Sequence, residues 1–366
     1  MNLEEAMAAW AEDQPHLAAK GISFEDGAAP VTYLPDAWRS DYRLAMDAAP
    51  VISTTGNAGI PAFLTTSIDP AVFKVLFAPV KAADVLGEQR KGNWTDQTQM
   101  FPLVEHTGEV SSYDDFAENG RSGLNSNWPQ RQAYLFQTVK EYGDLELERA
   151  GLGRINWVSE LDASAANTMN RFTNYTYLWG VKGLQNYGLL NDPNLTAALT
   201  PGTKQAGNGN VWIYNGTMNA TANEVYADIQ SMFYQLVEQT GGLVEADSKL
   251  TLAMSPGSAV AMTITNNYNV NVRTLLKGNF DNIREVTVPQ YGVRSTANPQ
   301  GMIGGNLVQL IADEVEGQQT GYCSFNEKMR TSPVIRALSS YKQKVTGGSW
   351  GAIIRQPANI VQMLGV

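Results

Sequence analysis

The chain has 366 residues, 43% of them hydrophobic and 17% charged, with a formal net charge of −10 and a pI near 4.8. That length and apolar content give a folded protein with a sizeable core, as two domains or one body with extensions, and exclude a disordered chain. The acidic balance, with 26 Lys and Arg read as scattered, argues against sequence-independent nucleic-acid binding, which needs a basic footprint.

Cys323 is the single cysteine, so no internal disulfide framework is expected and no Cys/His spacing suggests structural zinc. Asn-x-Ser/Thr triplets begin at Asn93, Asn174, Asn194, Asn215 and Asn219; in an Asn- and Thr-rich chain these read as chance. The start, MNLEEAMAAWAEDQ, is acidic and lacks the apolar run of a signal peptide. No stretch approaches the ~20 apolar residues of a membrane helix. The expectation is a soluble protein of a reducing compartment.

Residues 1–66 read as an extended arm. Leu3, Met7 and Trp10 fit one face of a short amphipathic helix. Pro15, Pro30, Pro35, Pro50 and Pro61, with Gly21, Gly27, Gly56 and Gly59, then prevent any long regular element. The arm still carries Phe24, Tyr33, Leu34, Trp38 and Tyr42. It should therefore dock, on its own body or on a neighbouring subunit, and composition leaves both open.

Residues 92–142 predict a long β-hairpin. TQMFPLVEH (98–106) and RQAYLFQTVKEY (131–142) have strand composition, the second partly alternating. The stretch between them is polar and turn-rich for more than twenty residues, which fits a projecting element better than an internal loop. Such a hairpin should lean on another chain.

The strongest helix follows over about 155–180. Ile155, Val158, Leu161, Ala165, Met169, Phe172, Tyr175 and Trp179 recur at helical spacing. Glu160, Asp162, Asn167, Asn170 and Asn174 form its polar face. A helix of roughly 25 residues is about 37 Å long, and Gly180 and Gly183 supply its stop. Tyr187 to Pro193 then reads as a corner, with Gly188 serving close packing or a positive φ and Pro193 keeping Asp192 out of helical geometry.

Beyond residue 187 the elements are mixed. TANEVYADIQSMFYQLVEQTGG is a helix with a Thr221/Glu224 capping box, a Gly241-Gly242 stop and a stripe of Val225, Ile229, Phe233 and Leu236. KLTLAMS (249–255) reads as a buried strand and PGSAVAMTITNN as a short helix opened by Pro256. REVTVPQ and NLVQLIADEV read as strands, and two apolar strand-like runs flank Gln356-Pro357 at the end. The order fits an α+β body around a central sheet.

A search for chemistry yields no catalytic, cofactor-binding or metal-binding residues. His16 and His106 lack an orienting carboxylate in an apolar pocket. Cys323, in the strand-like TGYCSFNEK, reads as core packing. GNGNVWIYNG (207–216) and GMIGGN (301–306) lack phosphate-loop or dinucleotide-loop spacing and read as turns. Asp114, Asp115 and Glu118 fall short of a calcium loop and read as a solvated acidic tip. Glu141, Asp144, Glu146 and Glu148 read as a charged face. No enzyme and no cofactor are expected.

The layout resembles the major capsid proteins of tailed bacteriophages, with the Hong Kong 97 type shell fold that encapsulins share. WGVKGLQNYGLLNDPNL is similar to the segment after the long helix in one subfamily, IIRQPANIVQMLGV to its closing strand pair, and EYGDLELERA to its passage from hairpin to helix. The resemblance implies an N-terminal arm (1–66), a peripheral domain (67–91, 143–186 and 336–366) with spine helix 155–180, an E-loop hairpin (92–142) and an axial domain (187–335). It implies a structural protein that self-assembles as hexamers and pentamers into an icosahedral head, made in the bacterial host cytoplasm and located in the virion. Its shell would enclose double-stranded DNA without sequence-specific binding, with scaffolding, portal and decoration proteins as possible partners and no membrane. Some members crosslink Lys to Asn; Lys91 borders the hairpin but no motif marks its Asn, so no crosslink is expected. An encapsulin-like compartment is the sibling alternative. A soluble enzyme or carbohydrate-binding module, with Trp128, Tyr134, Trp212 and Tyr214 lining a groove, is the alternative from another class.

Overall fold

A computed structural model describes residues 80–366 other than positions 117, 154 and 297. The expected arm, with its short helix at Leu3, Met7 and Trp10 and with His16, lies outside the described residues.

A four-stranded sheet runs Ile283–Thr287, Leu250–Met254, Leu307–Ala312, Ile360–Leu364, its first pair parallel and the others antiparallel. Its two central strands are buried at every residue, because both faces are covered. Leu250, Leu252, Met254, Val308 and Leu310 point to one side, onto Val225, Ile229, Met232 and Leu236 of the helix Ala222–Gln239. Ala253, Leu307 and Ile311 point to the other, onto Tyr177, Leu178, Cys323 and Ala352. Period-two alternation thus supplies two cores, which is why these strands read as continuous apolar runs. Phe233 of the expected stripe stays only partly buried, and Met232 takes the deep position.

A five-stranded sheet is built on the long strand Ser340–Ile354. One edge of that strand pairs with Gly321–Thr331 and Ile335–Arg336, the other with Tyr134–Gly143; Glu88–Arg90 adds in parallel to Gly321–Thr331. The chain changes sheets near Thr320 and again at the short 3-10 turn Pro357–Asn359. The segment 336–366, expected in one domain, is therefore divided between the two sheets. The pairing of Leu307–Ala312 with Ile360–Leu364 is long-range and leaves no local mark.

The long helix is Trp157–Trp179, opened by the Asn156 side chain accepting from the Ser159 N–H at 3.3 Å. Its inner face meets the alternate residues of Tyr134–Gly143: Phe172 packs on Phe136 at 4.6 Å and Tyr134 at 5.8 Å, and Lys140 pairs with Asp162. Asn174, expected on the solvent face, is instead buried. Its Oδ1 accepts the N–H groups of Lys81 (3.1 Å) and Ala82 (2.8 Å), capping the short helix Ala82–Leu86. Asn174 and Asn219 are both buried, so neither triplet is open to a glycan in the folded chain. Several elements go beyond the sequence reading, the short helix Ala82–Leu86 among them. The polar stretch 107–130 contains a strand, Ser122–Asn127; Asp144–Leu152 is helical; and Val272–Asn279 is a helix too short to display periodicity.

The helix ends where its sequence placed the stop. Gly180 has φ +63° and Gly183 φ +89°. The chain then doubles back, so that Leu189 and Leu190 donate to the Tyr177 and Leu178 carbonyls at 2.8 and 2.9 Å. These are C-terminal carbonyls with no partner inside the helix. Gly188 lies so close that a Cβ would sit 2.2 Å from the Leu178 carbonyl carbon, so its requirement is space. Gly188→Ala should cost about 1–3 kcal/mol through overpacking against backbone. Gly183→Ala meets nothing within 4 Å and should cost only its left-handed strain, about 1–2 kcal/mol. Urea denaturation of the unassembled protein gives the order; Gly188→Ala proving the milder change would contradict the packing account.

The helix Ala222–Gln239 carries the expected capping box: Glu224 accepts from the Thr221 N–H at 2.7 Å, and Thr221 Oγ1 accepts from the Glu224 N–H at 3.4 Å. Desolvation pushes the Glu224 pKa up, but hydrogen bonds from Thr221 and the Gln205 N–H outweigh it and the net shift is downward. A carboxyl with a lowered folded-state pKa stabilises the fold above its unfolded pKa, and this is lost as pH falls through the folded value. Glu224→Gln should therefore lower the melting temperature near pH 6, with the gap from wild type closing below about pH 4. A gap of constant size down to pH 3 would place its origin elsewhere than the carboxylate charge.

Candidate functional site

The hairpin between residues 98 and 132 is a two-stranded ribbon in two stages. Thr98–Met100 pairs with Gln130–Gln132 and Leu103–Gly108 with Ser122–Asn127, both antiparallel. The ladder is interrupted at Pro102 and Pro129, which lack an N–H to donate; Phe101 N–H bonds to the Pro129 carbonyl at 2.9 Å. From Gln132 to Ser122 the ribbon spans about 35 Å at ~3.4 Å per residue. Every residue of the outer pair is exposed. Leu103, Val104, Leu124 and Trp128 are nevertheless apolar and at least half exposed, and Val110, Tyr113 and Phe116 at the tip are almost wholly so. A two-stranded ribbon is marginal in water, and an apolar surface on one marks an interaction site.

The root of this ribbon is held by the turn after the long helix. Arg131 reaches Asp192 at 3.0 Å, with side chains only 11% and 1% exposed, and its guanidinium lies over the Tyr187 ring at 4.9 Å. Asp192 also accepts from the Asn194 N–H at 3.0 Å. Asn186 Nδ2 donates to the Gln132 and Ser349 carbonyls, each at 3.0 Å, and Gln132 N–H donates to the Gln185 carbonyl at 3.0 Å. Hairpin, helix end and long strand thus meet at one point. The sequence marked 187–193 as a corner but carried no sign of Arg131, sixty-one positions from Asp192.

The residues screened for chemistry fall apart in space. His106 is exposed on the ribbon. Cys323 is fully buried, and burial first, then the charge of Glu88, pushes its thiol well above the ordinary range, the opposite of an activated nucleophile. Burial and a hydrogen bond to Glu88 likewise hold the Tyr177 hydroxyl protonated. Asp114 and Asp115 are occupied at the tip by the Phe116 N–H and the Tyr113 hydroxyl. Among the described residues no group of three or more His, Cys, Asp or Glu is placed to hold a metal. Gly207 to Gly216 turns around Trp212, whose indole is fully buried and donates to Asp228 at 2.6 Å. Asp228 also pairs with buried Lys204 at 2.5 Å, a network the sequence reading missed because its members are far apart in the chain. With Trp212 in the core and Tyr134 packed on Phe172, the four aromatics proposed for a groove do not line one. The Lys91 backbone is bound to Phe325 and Trp350 and its ammonium lies over the Tyr322 ring at 5.4 Å.

Comparisons with known proteins agree with this geometry. The structure is similar to that described as the capsid of Myoviridae phage XM1, with a TM-score of 0.66 at 14% identity, covering 85% of this chain and 100% of that one. It is also similar to structures from Gordonia phage Cozz (TM-score 0.53, 10% identity, 86% and 98% covered) and Mycobacterium phage Ogopogo (0.52, 8%, 85% and 100%). These likenesses establish the expected Hong Kong 97 type fold. No curated protein matches the sequence. A family model described as Pa193 gp26 major capsid protein matches residues 51–365. The chain therefore belongs to that major capsid protein family, and is a structural, non-enzymatic component of a bacteriophage capsid shell.

Proposed function

We propose that this protein closes its shell by laying the hairpin across the adjacent subunit, within hexamers and pentamers of an icosahedral head assembled in the host cytoplasm around double-stranded DNA. The observation that carries this reading is the ribbon itself: about 35 Å of β-structure with fully exposed strands and unpartnered apolar side chains. Burying those side chains on a neighbour removes the penalty of their exposure, at roughly 25 cal/mol per Å² of apolar surface. The domain layout follows: residues 92–142 as the E-loop, the long helix as the spine of a peripheral domain with the five-stranded sheet, and the four-stranded sheet with the helix Ala222–Gln239 as the axial domain. Scaffolding, portal and decoration proteins fit as further partners. The net charge of −10 suits a wall that holds DNA weakly.

Deleting residues 107–128 should leave a folded protein, by circular dichroism and melting, that makes no regular shells in negative-stain images. Normal shells from that deletion would sink the clamp reading. Arg131→Ala leaves the Asp192 carboxylate buried without its cation, a change that costs about 3–5 kcal/mol for a buried pair. Hydrogen exchange should rise at residues 97–101 and 130–134 before the four-stranded sheet is affected. Uniform loss of protection throughout would mean that Arg131 supports the whole fold rather than the hairpin root.

A further inference from the structure

The helix Ala222–Gln239 carries a second apolar stripe beside the one that enters the core. Tyr226, Gln230, Phe233 and Tyr234 recur at helical spacing, next to buried Val225, Ile229, Met232 and Leu236. With Asn279 and Phe280 they line a groove of about 460 Å³, within the ~300–1,000 Å³ of small-ligand clefts. Its helical wall, residues 226–237, runs for about 16 Å at 1.5 Å per residue. Phe233, which periodicity assigns to the core, is partly buried because it belongs to this wall as well. It meets Phe280 edge to face, with ring centroids 4.9 Å apart and planes at 68°, so the two rings form a corner. Tyr234 is 64% exposed, and its hydroxyl donates to Glu238 at 2.6 Å.

The surroundings of this groove are acidic. Residues 238–247 and 277–282 carry Glu238, Glu245, Asp247 and Asp281 against Lys277 alone. All four acidic residues are exposed, and among the described residues none of them pairs with a Lys or Arg. Nor, among the described residues, is any group of three or more such side chains placed to hold a metal ion. Elsewhere in the chain the rings of Trp94, Tyr187, Tyr322, Phe325 and Tyr341 each have an Arg or Lys over them. Among the described residues no cation lies over Tyr226, Phe233, Tyr234 or Phe280. Asn279 donates its Nδ2 to the Leu275 carbonyl at 2.8 Å, which leaves its Oδ1 as an acceptor. Ring faces attract cations, and carboxylate and amide oxygens accept from ammonium groups.

We infer that this groove binds a linear aliphatic polyamine. Its methylene chain lies along the aromatic wall, and its ammonium groups meet the ring faces and the carboxylates at the rim. A single compact cation fills only one corner of so long a groove, and a metal ion has no apolar surface to bury. Several cations on one flexible apolar chain match both the aromatic lining and the charge around it. The site lies on the four-stranded-sheet body, shares no residue with the hairpin, and stands independently of the clamp reading.

The test is calorimetric titration of the unassembled full-length protein with spermidine at low salt. Hydrogen exchange in the presence of spermidine should fall at residues 226–238 and 277–281. Tyr234→Ala keeps every charge and removes one ring, and should weaken binding about threefold to fivefold; Tyr234→Phe keeps the ring and should stay within about twofold of wild type. Glu238→Gln with Asp281→Asn should weaken binding about threefold or more and flatten its salt dependence. Asp114→Asn with Asp115→Asn, at the hairpin tip, removes the same amount of charge and should leave binding unchanged. Melting curves check that each variant folds, and Tyr234→Leu replaces Tyr234→Ala if the latter does not. Spermidine binding that ignores the loss of the Tyr234 ring overturns the inference, because charge alone then holds the amine. Equal weakening by the tip substitutions overturns it as well. So does a Lys-rich peptide that protects these residues when spermidine does not, since the occupant is then a protein segment.

Discussion

Everything that projects from this subunit depends on how the long helix stops. Its last carbonyls need partners, and the chain supplies them by turning at Gly180 and Gly183 and running back against its own helix end. That return is possible only because Gly188 has no side chain to collide with Leu178. Asn191 completes it, its Nδ2 donating to the Trp179 carbonyl at 2.5 Å while its Oδ1 accepts from the Gly188 N–H at 2.7 Å. The turn presents Asn186, Tyr187 and Asp192 to the hairpin root. On its far side the Tyr187 carbonyl accepts from Ala352 in the long strand at 2.9 Å. Gly351, with φ +77°, allows that approach, since a Cβ there would lie 2.3 Å from the same carbonyl oxygen.

Buried polar side chains anchor much of this region. Asn174, Asn186, Asp192 and the Lys204–Asp228–Trp212 network are each buried and bound to backbone or to an opposite charge. A half-satisfied buried group would destabilise the fold, and a matched one orders loops that have few apolar residues of their own. The segment 200–219 illustrates this: between Pro201 and Ala220 its main anchors are buried Trp212 and the ion pair beneath it.

A shell protein also distributes its function differently from an enzyme. No polarised cleft is needed; what is needed is surface that remains unsatisfied in the monomer and is satisfied by copies of itself. The ribbon meets that description, stiffened at its root by a buried ion pair and carrying exposed apolar side chains at Leu103, Val104, Leu124, Trp128 and the tip. Rigidity at the root lowers the entropy lost on docking, which matters when the same contact is made many times in one particle.

The local elements were legible in the sequence because their causes are local. The capping box at Thr221 and Glu224, the helical stripe from Val158 to Phe172, the Gly180 stop and the alternating run from Tyr134 each act within a few residues of the chain. The capsid resemblance was legible for a related reason, since WGVKGLQNYGLLNDPNL encodes a backbone path that few other residues permit. What the sequence could not display was any fact requiring two distant segments. The burial of Asn174 depends on a helix start ninety-two positions earlier, and the hairpin root on Arg131 finding Asp192. The last strand joins the four-stranded sheet because Ile360–Leu364 fits the open edge of Leu307–Ala312. By itself the sequence determined the long helices with their caps and stops and the apolar or alternating strands, through short-range sterics, capping and periodicity. Only the tertiary structure decided which surfaces stay exposed, because exposure is what remains after long-range packing has chosen its partners.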